Sequence, residues 1–335
     1  MKSLSKLFDE IIYDFSKQEY KNQHILSRRY VFDNSIVCII YYNNRLNTRE
    51  VAFRLPKDCD SSLVSKFPNW KGINVVLSNI SYEEFDDIFI VFQQLPEHDS
   101  FIYETVIQDL IDKLLVCKDK RTIINVIGKV LSKWKQFFVM NNEVIMSDVK
   151  QQGLYGELIL LNKLMGKYGD KVLGFWTGCN GETHDFYING DAIEVKTTSS
   201  NNGNKATISN EYQLDNNDVS GELYLMFASL RRSKSDGETV PEIVKRISEQ
   251  ISQIEAIEIF DEMLFKYGYI KNLSEFYQIG FTEREIRFFH IKEDFPKITK
   301  SLIANNIGNV SYAINLDACD RFSILENKFI DGLKE

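Results

Sequence analysis

The chain reads HDFYINGDAIEVK from residue 184 to residue 196, and this stretch predicts a β-hairpin closed by Asn189 and Gly190. Asn-Gly between two strand-like runs favours a hairpin because both residues accept the positive φ of a type I′ turn. Counting outward from that turn places Asp185 opposite Glu194. Their pair lacks backbone hydrogen bonds, and Cα atoms in such pairs are roughly 4.5 Å apart. The sequence therefore predicts two carboxylates that face each other across adjacent strands.

The two faces of this hairpin are expected to differ. Phe186, Ile188, Ile193 and Val195 alternate onto one face and predict a packing surface, whereas Lys196 joins the two carboxylates on the other. Like charges directly opposite each other destabilise a sheet, so this arrangement favours a bound cation. Mg²⁺ suits it, because it accepts one or two carboxylates together with waters and a substrate phosphate. The alternative is an exposed hairpin in which Lys196 is only a salt-bridge partner.

The spacing of these residues resembles a known signature. Asp185, eight intervening residues and then Glu194-Val195-Lys196 resemble the metal-binding motif of the PD-(D/E)xK nuclease superfamily, which includes many restriction endonucleases. His184 stands where the name of the motif has Pro. The surrounding string also resembles an uncharacterised branch of the superfamily found among bacterial restriction and phage-defence genes.

Flanking segments extend the resemblance. Residues 153–161 resemble the first core helix of that fold, and residues 208–214 resemble the start of the helix after the motif strand. The resemblance implies an α/β (α+β) fold: a restriction endonuclease-like core with a mixed central sheet flanked by helices. Gly153 and Gly156 each weaken a helix by roughly 0.8 to 1 kcal/mol relative to Ala. Their presence predicts that another segment or the active site passes close to this helix.

The resemblance also implies roles for particular residues in a Mg²⁺-dependent DNA endonuclease, with Mn²⁺ as a substitute. Asp185 and Glu194 would ligate the metal together with the carbonyl of Val195. Lys196 would orient the attacking water or stabilise charge on the phosphate. Glu157 would hold a second metal or a water, and its alternative is a solvated surface residue.

Three further side chains are candidates for the predicted active site. Gln213 would orient the water or the lysine, and its alternative is a capping box with Asn210. Strand alternation assigns His184 to the packing face, which favours a buried, hydrogen-bonded histidine over a catalytic one. Cys179 offers a thiolate, which suits Mg²⁺ poorly. The site predicted from the sequence therefore includes Gln213 and excludes the other two.

The length and composition of the chain limit the classes of protein to which it can belong. The 335 residues are 44% hydrophobic and leave room for two or three domains with their own cores. Five cysteines form no C-x-x-C pair, which favours reduced thiols in the cytoplasm over disulfides or structural zinc. The first residues contain no continuous apolar run, and no stretch reaches the roughly 18 apolar residues of a membrane span. We expect a soluble protein without a membrane partner.

The net charge of −8 is unusual for a DNA-binding enzyme, because lysine and arginine supply most non-specific affinity for nucleic acid. Either basic residues cluster on folding or a partner protein brings the DNA. Partners would then be other restriction or defence-system proteins, or a second copy of the chain in a homodimer. The alternative functions are a non-catalytic DNA-binding or scaffolding subunit and an RNA nuclease. The candidate basic residues are Lys118, Lys120, Arg121, Lys196, Lys205, Arg231, Arg232 and Lys234.

The sequence predicts three segments: an N-terminal mixed module at 1–118, a nuclease core with a preceding helix at 119–262, and a C-terminal antiparallel section at 263–335. Residues 141–147 are the expected linker into the core. Further predictions are helices at 101–117, 120–138 and 241–267, a strand at 172–177, and a helix at 85–92 that begins from a capping box at 81–84.

Overall fold

The computed structural model describes residues 2–20, 22–57, 61–67, 72–82, 85–201 and 203–333. The chain divides into two compact units, Met1–Asn142 and Glu143–Glu335, and the division falls within the linker expected at 141–147. The three-segment scheme places its boundaries elsewhere: residue 118 lies inside the first unit, and residue 262 lies inside the helix Ile254–Tyr267.

In its described residues, the first unit contains three α-helices and a five-stranded antiparallel sheet, whose strands, numbered along the chain, lie in the order β1-β2-β3-β5-β4. The helices predicted at 101–117 and 120–138 are confirmed as α2 and α3. The bounds are α1 Leu4–Asp14, β1 Ile25–Val31, β2 Val37–Asn43, β3 Thr48–Arg54, β4 Ile73–Tyr82, β5 Phe85–Gln94, α2 Ser100–Leu115 and α3 Ile123–Met140.

The helix predicted at 85–92 is wrong, because this segment is strand β5. It pairs with β4 along the strand, from Ile73 opposite Gln94 to Tyr82 opposite Phe85. Its β-branched and aromatic residues suit a pleated surface better than a helix. Glu83 and Glu84 of the expected capping box lie outside the described residues.

The second unit is built on a mixed sheet in the order β10-β11-β9-β7-β6, with β13 paired to β11. Strand β7 is parallel to β9, whereas β6, β10, β11 and β13 pair antiparallel to their neighbours. The α+β fold is thereby confirmed. The bounds are α4 Asp148–Tyr168, β6 Phe186–Ile188, β7 Asp191–Thr198, β8 Lys205–Ile208, β9 Leu223–Ser233, β10 Glu238–Thr239, α5 Val240–Ser248, α6 Ile254–Tyr267, β11 Gly280–His290, β12 Tyr312–Asn315, β13 Ser323–Ile324 and α7 Glu326–Gly332.

Three predicted elements of this unit are wrong. The strand expected at 172–177 is largely a 3₁₀ helix, Gly169–Phe175, and only Trp176 forms a bridge, with Phe186. The helix expected over 241–267 is two helices, and the carboxylate of Asp170 accepts hydrogen bonds from the backbone N–H groups of Ser252 and Gln253 at the break. The segment 208–214 ends strand β8 and continues as a turn, without a helix.

Strand β7 is covered on both faces, which excludes the alternative of an exposed hairpin. Ala192, on the same face as Glu194, belongs to an apolar cluster with Leu214, Leu223 and Phe289. Helix α4 packs on the opposite face, where a Cβ at Gly156 would approach the side chains of β7. The strand that carries the motif is therefore buried, and so are its carboxylates.

Candidate active site

The predicted hairpin is confirmed in turn and register. Asn189 and Gly190 have φ values of 50° and 99°, both positive as a type I′ turn requires. Ile188 pairs with Asp191 and Phe186 with Ile193, so Asp185 lies one pair beyond the strand, on the level of Glu194. The turn chemistry of two residues thus places the two carboxylates at the same end of the hairpin.

Asp185 is held by the neighbouring strand. Its Oδ2 accepts a hydrogen bond of 2.7 Å from the backbone N–H of Val195. The N–H and C=O of one strand residue point to the same side, so the carbonyl of Val195 also faces the edge where Asp185 lies. The structure therefore brings together the three groups predicted as ligands: the two carboxylates and the Val195 carbonyl.

Glu194 and Lys196 lie on the same face of β7, and Lys196 Nζ is 2.6 Å from Glu194 Oε1. The side chain of Glu194 is only 1% exposed and that of Lys196 14%. Burial alone lowers the pKa of Lys196, but the nearby carboxylates of Glu194, Asp185 and Glu157 outweigh it and raise the pKa above its ordinary value. The ammonium is therefore charged. The second oxygen of Glu194, Oε2, is buried without a hydrogen-bond partner.

Glu157 is buried within the unit, which excludes the solvated alternative. Its Oε2 accepts a hydrogen bond of 2.7 Å from Trp176 Nε1, and its Oε1 accepts one of 2.7 Å from Tyr267 O–H. The pKa of Glu157 is raised to about 7. Burial and the charge of Glu194 raise it, and the two hydrogen bonds partly oppose them. Two aromatic donors thus fix the direction of this carboxylate.

Glycines permit this close packing, as the sequence predicted for Gly156. A Cβ there would lie 2.2 Å from Thr197 Cγ2 on strand β7. At Gly178 a Cβ would lie 2.5 Å from Glu157 Oε2 and 2.9 Å from Asp185 Oδ1, so the two carboxylate oxygens are no farther apart than the sum of these distances. The backbone N–H groups of Thr177 and Gly178 both donate to the carbonyl of Asp185 and hold this loop in place.

The cluster carries more negative than positive charge. Burial raises the pKa of Asp185 well above its ordinary range, and the charges of Glu194 and Glu157 raise it further. Lys196 and the Val195 N–H act in the opposite direction. One ammonium thus faces three carboxylates, of which Glu157 and Glu194 are buried and Asp185 is half-buried. Such an excess is relieved by protonation or by a bound cation.

His184 is a residue of this cluster that the sequence reasoning excluded. It is fully buried, as expected, but its ring lies beside Glu194, with 3.6 Å between Nδ1 and Glu194 Oε2. On its other side, Nε2 is 3.5 Å from Asp218 Oδ1. Neither ring nitrogen forms a hydrogen bond in the structure, so the hydrogen bond that the sequence predicts for this buried histidine is not observed. The alternation argument failed because His184 precedes strand β6, where regular alternation no longer applies.

Trp176 and Tyr267 were also missed. Trp176 lies in a segment that was interpreted as a strand, and Tyr267 ends helix α6, 110 residues from Glu157 along the chain. No local pattern links either residue to that glutamate. A tyrosine at the end of a helix, such as Tyr267, does not by itself indicate a functional site. Its role can be recognised only when the fold is known.

Gln213 forms a side-chain hydrogen bond within the turn that follows strand β8, and not the capping box with Asn210 that was its alternative. Its side-chain oxygen accepts a hydrogen bond of 2.8 Å from Ser209 N–H, while Asn210 Oδ1 accepts one from Tyr212 N–H. The described contacts do not bring Gln213 to Asp185 or Lys196.

The oxygen atoms of this cluster differ in how readily they could bind the metal that the motif implies. Within the described ranges, no group of three or more His, Cys, Asp or Glu side chains is arranged as a metal-binding cluster. Lys196 occupies one oxygen of Glu194, and both oxygens of Glu157 hold hydrogen bonds. However, hard carboxylate and carbonyl oxygens are the ligands that Mg²⁺ prefers, and Asp185, Glu194 and the Val195 carbonyl supply such oxygens at one end of the hairpin. The residues therefore fit a divalent cation that displaces Lys196.

The mixed sheet, its packed helix α4 and the acidic hairpin define the PD-(D/E)xK class. A family model described as "Putative PD-(D/E)XK family member, (DUF4420)" matches residues 14–317, and the chain belongs to this family. No curated protein and no solved structure matches the chain. Among the described residues, no helix has the combination of length and apolar character needed to cross a membrane.

Proposed function

We propose that this protein is a Mg²⁺-dependent endonuclease that hydrolyses DNA phosphodiester bonds in a bacterial restriction or phage-defence system. The supporting observation is the convergence of Asp185, Glu194 and Glu157 around Lys196 in the interior of the second unit. A buried cluster of this charge is costly, because unpaired buried charge destabilises a fold. Such clusters occur mainly at functional sites, where the charges take part in chemistry. Membership of the family supports a nuclease-like activity.

Asp185, Glu194 and the Val195 carbonyl would hold a divalent cation, which would supply positive charge to stabilise the phosphate. Lys196 would then no longer be paired with Glu194. Its ammonium then orients the attacking water or stabilises the negative charge that develops on the phosphate oxygens. One lysine therefore serves as counter-ion in the metal-free protein and as catalytic residue in the active one.

Glu157 takes a supporting role in this proposal. Its carboxylate lies next to Asp185 across Gly178, and Trp176 and Tyr267 prevent it from turning away. Each oxygen keeps a lone pair beyond the one used by its aromatic donor. The carboxylate thereby orients a water or contributes to a second cation position beside the first.

The acidic net charge supports a second candidate function, a non-catalytic subunit that binds DNA or acts as a scaffold within a defence complex. Several of the candidate basic residues are paired with acids: Arg231 with Asp236, Arg232 with Asp148 at 3.7 Å, and Arg121 with Asp119 at 2.9 Å. The side chain of Lys120 lies outside the described set. Paired arginines contribute less to phosphate binding. A protein partner or a second copy of the chain would then supply DNA affinity.

One assay separates these candidates. Purified protein is incubated with plasmid, linear duplex DNA, single-stranded DNA and RNA in Mg²⁺ or Mn²⁺, with a chelator as control. The proposal predicts metal-dependent cleavage of DNA that is lost in Asp185→Asn and kept in Asp236→Asn, a matched change at an exposed aspartate. Cleavage of RNA alone would identify a ribonuclease. Absence of cleavage together with DNA binding would favour the non-catalytic subunit.

A further inference from the structure

Three buried side-chain atoms without a hydrogen-bond partner lie next to one another in the described part of the chain: Nδ1 and Nε2 of His184 and Oε2 of Glu194. Native structures leave few buried polar groups unsatisfied, and each such group calls for an explanation. Because the three atoms share one location beside the proposed active site, one interaction, between Nδ1 and Oε2, can satisfy two of them.

The geometry favours an interaction between His184 and Glu194. Nδ1 is 3.6 Å from Oε2, slightly beyond hydrogen-bond distance, so a small rotation of either side chain closes the gap. Oε2 has no other donor, and the Glu194 side chain is 1% exposed. Leaving a carboxylate oxygen unsatisfied at that depth is costly.

Asp218 competes less strongly for the imidazole proton. Its side chain is 46% exposed, so water can solvate it, and its Oδ2 already accepts a hydrogen bond of 3.1 Å from Tyr187 O–H. The ring of Tyr187 also packs against the imidazole, with 5.5 Å between ring centroids. Proton placement on Nδ1, facing the buried acceptor, therefore satisfies the group with the greater need.

We propose that His184 is a positioning residue for Glu194: its Nδ1–H donates to Oε2 and fixes the carboxylate while Oε1 is free to exchange partners. Oε1 is bound by Lys196 at 2.6 Å. When Lys196 turns toward a substrate phosphate, Oε1 would lose this donor. His184 keeps the carboxylate oriented through that exchange. The role of Glu194 as a metal ligand in this inference rests on the proposed function, whereas the hydrogen bond does not.

Two conservative variants distinguish the nitrogens. The side-chain amide of Asn in His184→Asn stands near the position of Nδ1 and restores a donor toward Glu194. The amide of Gln in His184→Gln stands near the position of Nε2 and faces Asp218 instead. Mn²⁺ affinity, measured by calorimetric titration of the substrate-free protein, should stay within about threefold of wild type for Asn and fall about 10- to 100-fold for Gln, the range for losing a group that orients a ligand. Melting temperatures of both variants report whether the fold is retained.

A spectroscopic measurement tests the hydrogen bond directly. The chain has four histidines, so ¹⁵N–¹H correlation spectra of the imidazoles are simple, and the His184 signals are those absent from His184→Asn. A proton on Nδ1 supports the inference, and an unprotonated Nδ1 overturns it. Equal Mn²⁺ affinity in the Asn and Gln variants also overturns it. Absence of Mn²⁺ binding by the wild type would overturn the proposed metal site, and the spectrum would still decide the hydrogen bond.

Discussion

Lys196 Nζ and Glu194 Oε1 are 2.6 Å apart, although the two residues belong to the same strand and are separated by one residue. Neighbours at this spacing share a face of the strand, so no partner element is needed to bring them together. While the ammonium of Lys196 binds Glu194 Oε1, that oxygen is not available to a metal. Metal binding and release of Lys196 are therefore coupled.

Removal of Lys196 should affect both stability and activity. Lys196→Ala leaves Glu194 buried without its cation, and loss of one partner of a buried pair costs roughly 3 kcal/mol or more. The melting temperature of the metal-free protein should fall by several degrees, whereas Lys205→Ala, at an exposed position of strand β8, should change it little. Cleavage should fall at least a hundredfold, as for loss of a positioned electrostatic group.

The double variant Lys196→Ala/Glu194→Gln provides the control. Because neutral Gln needs no counter-ion, it should recover most of the stability lost in Lys196→Ala. A double-mutant cycle from thermal or denaturant unfolding measures the coupling between the two side chains. Additive effects would show that the pair contributes nothing to the metal-free fold.

Asp185→Asn should separate the metal site from the fold. The amide oxygen can still accept the hydrogen bond from Val195 N–H, so the local geometry is retained. Removal of one of three crowded carboxylates should raise the stability of the metal-free protein slightly. The gain in melting temperature that millimolar Mg²⁺ or Mn²⁺ gives to wild type should largely disappear, because ligands stabilise only the state that binds them. A wild-type melting curve that does not respond to either metal would contradict the proposed site.

The stability of the metal-free protein should depend on pH through Glu157. Burial raises its pKa in the folded state to about 7, from an ordinary value of 4.5. The folded state then binds a proton that the unfolded state has lost, so stability is greatest below pH 4.5 and decreases as the pH rises to about 7. Such a shift corresponds to roughly 3 kcal/mol. Denaturant unfolding between pH 4.5 and 8 should show this decline, which Glu157→Gln should reduce and Glu249→Gln, at an exposed position, should not.

Tyr267→Phe extends the same test. The O–H of Tyr267 lowers the pKa of Glu157, so its removal should move the end of the decline above pH 7 while the aromatic ring stays in place. Mn²⁺ should reverse the slope, since metal binding requires ionised carboxylates and strengthens as the pH rises. A decline that is unchanged in Tyr267→Phe would show that this hydrogen bond does not stabilise the ionised form.

The sequence predicted the hairpin and its acidic end because these features are local. The positive φ of Asn189 and Gly190 fixes the register, and the register places Asp185 and Glu194. Lys196 follows from strand alternation alone. These inferences use spacings of at most nine residues around one turn, over which backbone geometry is determined by residue type.

The contacts of Glu157 could not be predicted in this way. The resemblance to a known fold placed it near the site, but Trp176 and Tyr267 reach it through a 3₁₀ segment and through the end of a distant helix. Residues 85–92 show the opposite error: a local capping pattern was outweighed by strand pairing along β4. Local signals fail where a tertiary partner, absent from the pattern, decides the outcome.

Helix α4 carries Glu157 and packs closely on strand β7. This close packing should depend on Gly156. A Cβ at this position would lie 2.2 Å from Thr197 Cγ2, so Gly156→Ala should destabilise the protein by about 1 to 3 kcal/mol through overpacking. Gly166→Ala is the matched control in the same helix, because no neighbouring atom lies within 4 Å of its added methyl group. That change should stabilise the protein by roughly 0.5 to 1 kcal/mol, the helix preference for Ala over Gly.

Thr197→Ser should rescue Gly156→Ala, since it removes the clashing Cγ2 and keeps the hydroxyl that accepts a hydrogen bond of 3.1 Å from Gln152 Nε2. Unfolding free energies of the two single variants and the double variant measure the rescue. If Gly156→Ala acts only through the contact with Thr197, the double variant should approach wild type in stability and in metal response. Equal destabilisation with and without Thr197→Ser would mean that the helix and strand do not approach as closely as described. The position of Glu157 beside Asp185 would then lose its structural basis.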